Sequence, residues 1–136
     1  MNRLPELAEH GSIVDNLVRI SGCDRPTVQD GMSWGRGPEI AFGFLRPGTA
    51  GSFFPGSPDG FMINGPATER FCRECCPDGL LGLGIAILHE YTHFLYQKCR
   101  GLEPAAVVDA GDSFERHTYD PEMNRRADDA FMWGCP

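Results

Sequence analysis

The chain has no long hydrophobic run and little positive charge. In its 136 residues the longest uncharged apolar stretch is the nine residues from Leu80 to Leu88. That is well short of the roughly twenty residues a helix needs to cross a bilayer, so no membrane span is expected. Lysine and arginine together number 12 against 19 aspartates and glutamates, a formal net charge of -7. Nucleic-acid binding rests on basic patches that neutralise phosphates, and nucleic acid is therefore not an expected partner. No internal repeat, low-complexity tract or charge block marks a linker. Arg3 is followed by Glu6 and Glu9 with no apolar core behind them, so no Sec-type signal peptide is expected there. The length fits one domain, residues 1–136, with a single core. Seventeen glycines and eleven prolines predict many turns and short strands.

Against this background one motif stands out, His89-Glu90-Tyr91-Thr92-His93. On a helix, positions i and i+4 share a face, so both imidazoles can reach one metal ion. Glu90, next to the first histidine, can lean toward the same ion and act as a base. The surroundings are helical. Pro77-Asp78-Gly79 gives a start signal, and apolar residues recur at Leu80, Leu81, Ile85, Leu88, Phe94 and Leu95. Lys98, Arg100 and Gly101 end the pattern as basic residues and glycine do at a helix C-terminus. The competing reading, two structural histidines on a half-buried helix, is outweighed by this helical context.

With this motif on this helix, the stretch from Leu80 to Gly101 resembles the active-site helix of the zincin metallopeptidases. The resemblance implies zinc held by His89 and His93, with Glu90 as general base and acid in peptide hydrolysis. A zinc ion with three protein ligands keeps a fourth position for water and lowers that water's pKa toward ~7. The metzincin branch requires a glycine and a third histidine where this chain has Tyr96 and Cys99. The gluzincin branch takes a glutamate from a later segment, and Glu115, twenty-two positions past His93, fits that pattern. Other carboxylate or imidazole ligands are open: Glu122, Asp128 and His117. The run Arg126 to Phe131 resembles the acidic segment of another zincin group, although Asn124 stands where that group has its glutamate. The aspartate that orients a zinc-bound histidine in better-known gluzincins is not matched, because Tyr119 occupies its place. His117 and Tyr119 are the nearest candidates in sequence for stabilising an oxyanion.

Elsewhere the chain gives local signals. Ile13, Val14, Leu17 and Val18 have helical spacing behind Ser12 as a cap. Thr27 to Gln29, Glu39 to Leu45 and the short run Gly60 to Gly65 read as strands. By resemblance, Phe61 to Asn64 would be the sheet edge that pairs with an extended substrate. Asp120, Pro121 and Gly134 bracket a last helix. The six cysteines, Cys23, Cys72, Cys75, Cys76, Cys99 and Cys135, favour disulfides, with free thiols or a metal site at Cys72 and Cys75 as alternatives. A further possibility is Cys23 as a thiolate cap over the zinc.

These readings predict an α+β domain of zincin type: a short twisted sheet on the active-site helix and a C-terminal helical lobe. The function implied is a zinc-dependent endopeptidase acting on protein or peptide substrates. The setting implied is an effector or toxin domain, secreted or delivered outside the producing cell. A zinc-stabilised interaction module without turnover is the alternative from another class.

Overall fold

In a computed structural model, residues 11–33, 35–56, 59–103 and 109–135 are described. Helix α1, Gly11–Ser21, buries Val14 and Leu17, as the spacing predicts, but Ser12 lies within the helix rather than capping it. Helix α2, Arg25–Gly31, replaces the strand expected at Thr27 to Gln29. The reason is local. The Asp24 side chain accepts the Thr27 N–H at 2.8 Å and proline occupies the first turn. Together these start signals outweigh two β-branched residues.

Three strands form a mixed sheet: β1, Glu39–Gly43; β2, Gly51–Ser52; and β3, Gly60–Asn64, in the order β1-β3-β2. β1 runs parallel to β3 and β2 antiparallel to it. The sheet therefore corrects the expectation that Phe61 to Asn64 is an edge. Phe61, Ile63 and Asn64 are buried in the middle strand, and the edge on the β2 side is the two-residue strand itself. Nor does β3 lead straight into the long helix. Asn64 caps an intervening helix α3, Gly65–Glu74, by accepting the Ala67 N–H at 3.0 Å.

Helix α4, Pro77–Arg100, is the 24-residue centre of the molecule. Leu83, Ala86, Leu88, Tyr91 and Leu95 belong to its buried side, while Lys98 and Arg100 occupy its last turn, where cations favour the helix dipole. Packed on it are α1, α3, β3 and two C-terminal helices, α5 (Ala110–Thr118) and α6 (Pro121–Trp133). As predicted, Asp120 caps α6, accepting the Met123 N–H at 2.8 Å, and Gly134 follows its end. Phe131 of α6 meets Phe71 of α3 edge to face with ring centroids 5.0 Å apart. The fold is thus α+β, a small sheet with the helices collected around α4. No helix among the described residues is long and apolar enough to cross a membrane.

Four of the six cysteines form disulfides, and both bonds end on α4. Cys76, its N-cap, is bonded to Cys135, and Cys99, in its last turn, is bonded to Cys23. The bond to Cys99 removes Cys23 as a thiolate cap over a metal. Cys72 and Cys75 are free and exposed, and neither belongs to a group able to hold a metal among the described residues.

A bond that closes a long loop restricts the unfolded chain, and the Cys76–Cys135 bond spans 59 positions. Replacing both residues with serine should cost about 2–4 kcal/mol in urea unfolding. A loss below about 1 kcal/mol would mean that α6 docks through its apolar face alone.

Candidate metal centre

Helix α4 turns His89 and His93 toward one point because they are four residues apart and their helix is fixed by burial. Their Nε2 atoms lie 3.3 Å apart. Asp109, the N-cap of α5, brings its Oδ1 to 3.1 Å from Nε2 of His93 and 3.6 Å from Nε2 of His89. These three donors lie close enough together to share one ion. Each imidazole also has a carboxylate at its other nitrogen. Glu115 faces Nδ1 of His89, and Glu103 faces Nδ1 of His93. The second Glu103 oxygen accepts the Ala110 N–H at 3.2 Å, which ties the start of α5 to the same histidine. Phe53 stacks on the His93 ring, 5.9 Å between centroids and nearly parallel.

A second donor group shares His89 and comprises Asp112 and Glu115. It does not include His93. Glu90 is 6 % exposed and has no hydrogen-bond partner among the described residues. Its neighbour is Gly51 of β2, where a Cβ would lie 2.9 Å from Glu90 Cγ. Gly111 is equally constrained, since a Cβ there would meet the His89 ring at 2.5 Å. The cleft around the histidines, about 480 Å3, has Gly51, Ser52 and Phe53 on one wall and Leu102, Glu103 and Asp109 on the other.

The other sequence candidates lie elsewhere. Glu122 is exposed and paired with Arg125 at 2.5 Å. His117 is exposed with Nδ1 2.7 Å from the Ser113 carbonyl, and neither residue joins a donor group among the described residues. Asp128 opens instead onto a cavity that it shares with Glu115. Tyr119 packs edge to face on Phe114 and is absent from the lining of the cleft. Asp109 and Glu103 escaped the sequence reading. A helix-capping aspartate and an acid two residues past Gly101 carry no spacing that separates them from surface carboxylates.

A family model described as metallopeptidase toxin 3 matches residues 1–120. The chain belongs to that family. No curated protein and no solved structure gives a significant match.

Membership of a metallopeptidase toxin family implies a metal, and the donor chemistry of this member fits one. With carboxylates accepting from both Nδ1 atoms, the Nε2 lone pairs and the Asp109 oxygen converge as three acceptors. Such an arrangement requires a cation, either a proton or a metal, between them. The same demand acts on protonation in the metal-free site. Burial alone would lower the pKa of His89. The Glu115 hydrogen bond and the charges of Glu90, Glu115 and Asp109 outweigh it and push the pKa up to about 9. Burial raises the carboxyl of Glu90, partly offset by the two histidines. Burial together with neighbouring carboxylates also raises Asp112 and Asp128.

Two outcomes follow. Gly111→Ala should destabilise by about 1–3 kcal/mol, the usual cost of overpacking, and shift the His89 imidazole resonances in NMR. Unmoved resonances would show that α5 backs away without disturbing the ring. With a chelator present, stability should fall as pH rises. The His89 contribution is complete below its unfolded value near 6.5 and lost through about 9, while the raised Glu90 adds a penalty that begins above its ordinary 4.5. Melting temperatures that rise between pH 6.5 and 9, or a His89→Gln variant with the same profile, would contradict this.

Proposed function

We propose that the chain is a zinc-dependent endopeptidase working as one domain over residues 1–136. The observation that carries this reading is the convergence of His89 Nε2, His93 Nε2 and Asp109 Oδ1 beside a buried Glu90 that has no hydrogen-bond partner among the described residues. His89, His93 and Asp109 would hold the ion. Glu115, the ligand implied by the gluzincin pattern, would instead orient His89 from its Nδ1 side, as Glu103 orients His93. Bound zinc supplies a Lewis acid and lowers the pKa of a coordinated water toward ~7.

The chain's own residues do the rest. Glu90 takes a proton on its carboxylate as water attacks the scissile carbonyl, then gives it to the leaving amine. The Gly51 backbone and the lack of a side chain there leave Glu90 room to reach the cleft. An extended substrate would add to the outer side of β2, which has no strand partner among the described residues. Backbone hydrogen bonds would then grip it with modest demand on side chains. A closed structural metal site has no use for a buried carboxylate like Glu90, which weighs against an interaction module. Two disulfides and the toxin family fit an extracellular protein, and the peptidase would act as an effector or toxin outside the cell that makes it.

Metal analysis of the purified protein and its variants tests the scheme. Glu90→Gln should retain about one zinc per chain yet lose at least ~100-fold in cleavage of an unfolded protein. Undiminished cleavage removes Glu90 from the mechanism. Asp109→Asn should weaken zinc binding more than Glu115→Gln, for which an orienting partner predicts about 10–100-fold. The reverse order makes Glu115 the ligand, in line with the gluzincin pattern.

A further inference from the structure

On the Glu115 side of His89 lies another cavity, about 280 Å3. That is just under the ~300–1,000 Å3 of small-molecule pockets, a size that suits a single side chain. Ile85 and Ala86 of α4, with Ala127 and Phe131 of α6, supply its apolar lining. Its polar lining is the His89 ring with Glu90 and Glu115 inside, and the exposed carboxylates of Asp112 and Asp128 at the rim, so four carboxylates face one imidazole.

The nearby arginines are committed elsewhere. Arg125 pairs with Glu122 and Asp129, and Arg126 with Asp78. Among the described residues, no lysine or arginine forms an ion pair with Asp112, Glu115 or Asp128, and Arg116 only weakly favours the Asp112 carboxylate. Glu90, more than nine-tenths buried and without a hydrogen-bond partner among the described residues, faces this same space. Carboxylates gathered this way repel one another until a cation joins them.

Apolar walls beneath a ring of carboxylates match a long basic side chain, whose methylene stem packs while its charged head pairs. A second metal would use His89, Asp112 and Glu115 alone, leaving Asp128 and the apolar walls without a role. Gly51, His89 and Glu90 line both this cavity and the main cleft, so the two spaces adjoin at these residues. We propose that the cavity takes an arginine or lysine side chain of the substrate, so that the enzyme cuts beside a basic residue. This rests on the peptidase reading for its role, though not for its binding chemistry. The net charge of -7 also draws basic segments toward the protein.

Binding and cleavage test it separately. N-acetyl-arginine amide and N-acetyl-norleucine amide are titrated into the full zinc-loaded chain and followed by NMR. The arginine amide should bind at least about tenfold tighter, as charged hydrogen bonds predict, and shift the amide signals of Ala127 and Asp128. The double variant Asp112→Asn/Asp128→Asn should lose that preference while binding the norleucine amide as before. Equal affinities, or an arginine preference that survives in the double variant, overturn the proposal. In a digest of mixed peptides read by mass spectrometry, lysine or arginine should occupy one fixed position beside the cut bond. Cleavage without that preference also overturns it. Absent cleavage with the arginine preference intact supports the pocket and removes the peptidase reading instead.

Discussion

Cys76 and Cys99, at the two ends of α4, are covalently tied to Cys135 and Cys23. Between them the helix is buried against α1, α3, β3, α5 and α6. This restraint on one helix supports everything else in the molecule. Two imidazoles on successive turns face a common point only if their helix neither frays nor rotates. Thr92, fully buried, returns its hydroxyl to the Leu88 carbonyl at 2.7 Å, and Tyr91 donates to the Val28 carbonyl of α2 at 2.8 Å. The two residues between Glu90 and His93 therefore anchor the motif's back to the core while its front faces the cleft.

The second organising force is charge. Glu90, Glu103, Asp109, Asp112 and Glu115 surround two histidines, with no lysine or arginine among the described residues that line the cleft. Negative charge at such density is unfavourable unless cations are taken up, and both the raised pKa of His89 and the converging donors express that need. α5 supplies three of these carboxylates from its first six residues and its cap. The cap does double work: Asp109 accepts the Asp112 N–H at 2.9 Å while its carboxylate reaches the histidines. Glycines at 51 and 111 let β2 and α5 approach where any side chain would collide with Glu90 or His89.

Local chemistry was legible wherever a single segment carried the whole signal. The motif, the boundaries of α4, and the cap and stop of α6 all rest on neighbours within a few residues, and the structure has each of them. At Thr27 to Gln29 β-branching suggests a strand, while Asp24 and Pro26 specify a helix start, and the start signals prevail. Ser12 looked like a cap because its side chain suits one, yet it lies inside the helix. The order of the sheet was not legible. Strand position depends on which segments cover Phe61 and Ile63, and that is settled by packing far along the chain.

By itself, then, the sequence determined a long helix presenting His89, Glu90 and His93 on one face, because helical periodicity converts spacing into direction. It also determined that a metal was the natural partner of that face and that disulfides were to be expected. Only the tertiary structure decided which carboxylate meets which imidazole nitrogen. Asp109 and Glu115 are six positions apart on one segment, and nothing in their local sequence ranks them. The docking of α5 on α4 turns Asp109 toward both Nε2 atoms and Glu115 toward Nδ1 of His89. That outcome depends on the angle between two packed helices, a property of the whole core rather than of any stretch of chain.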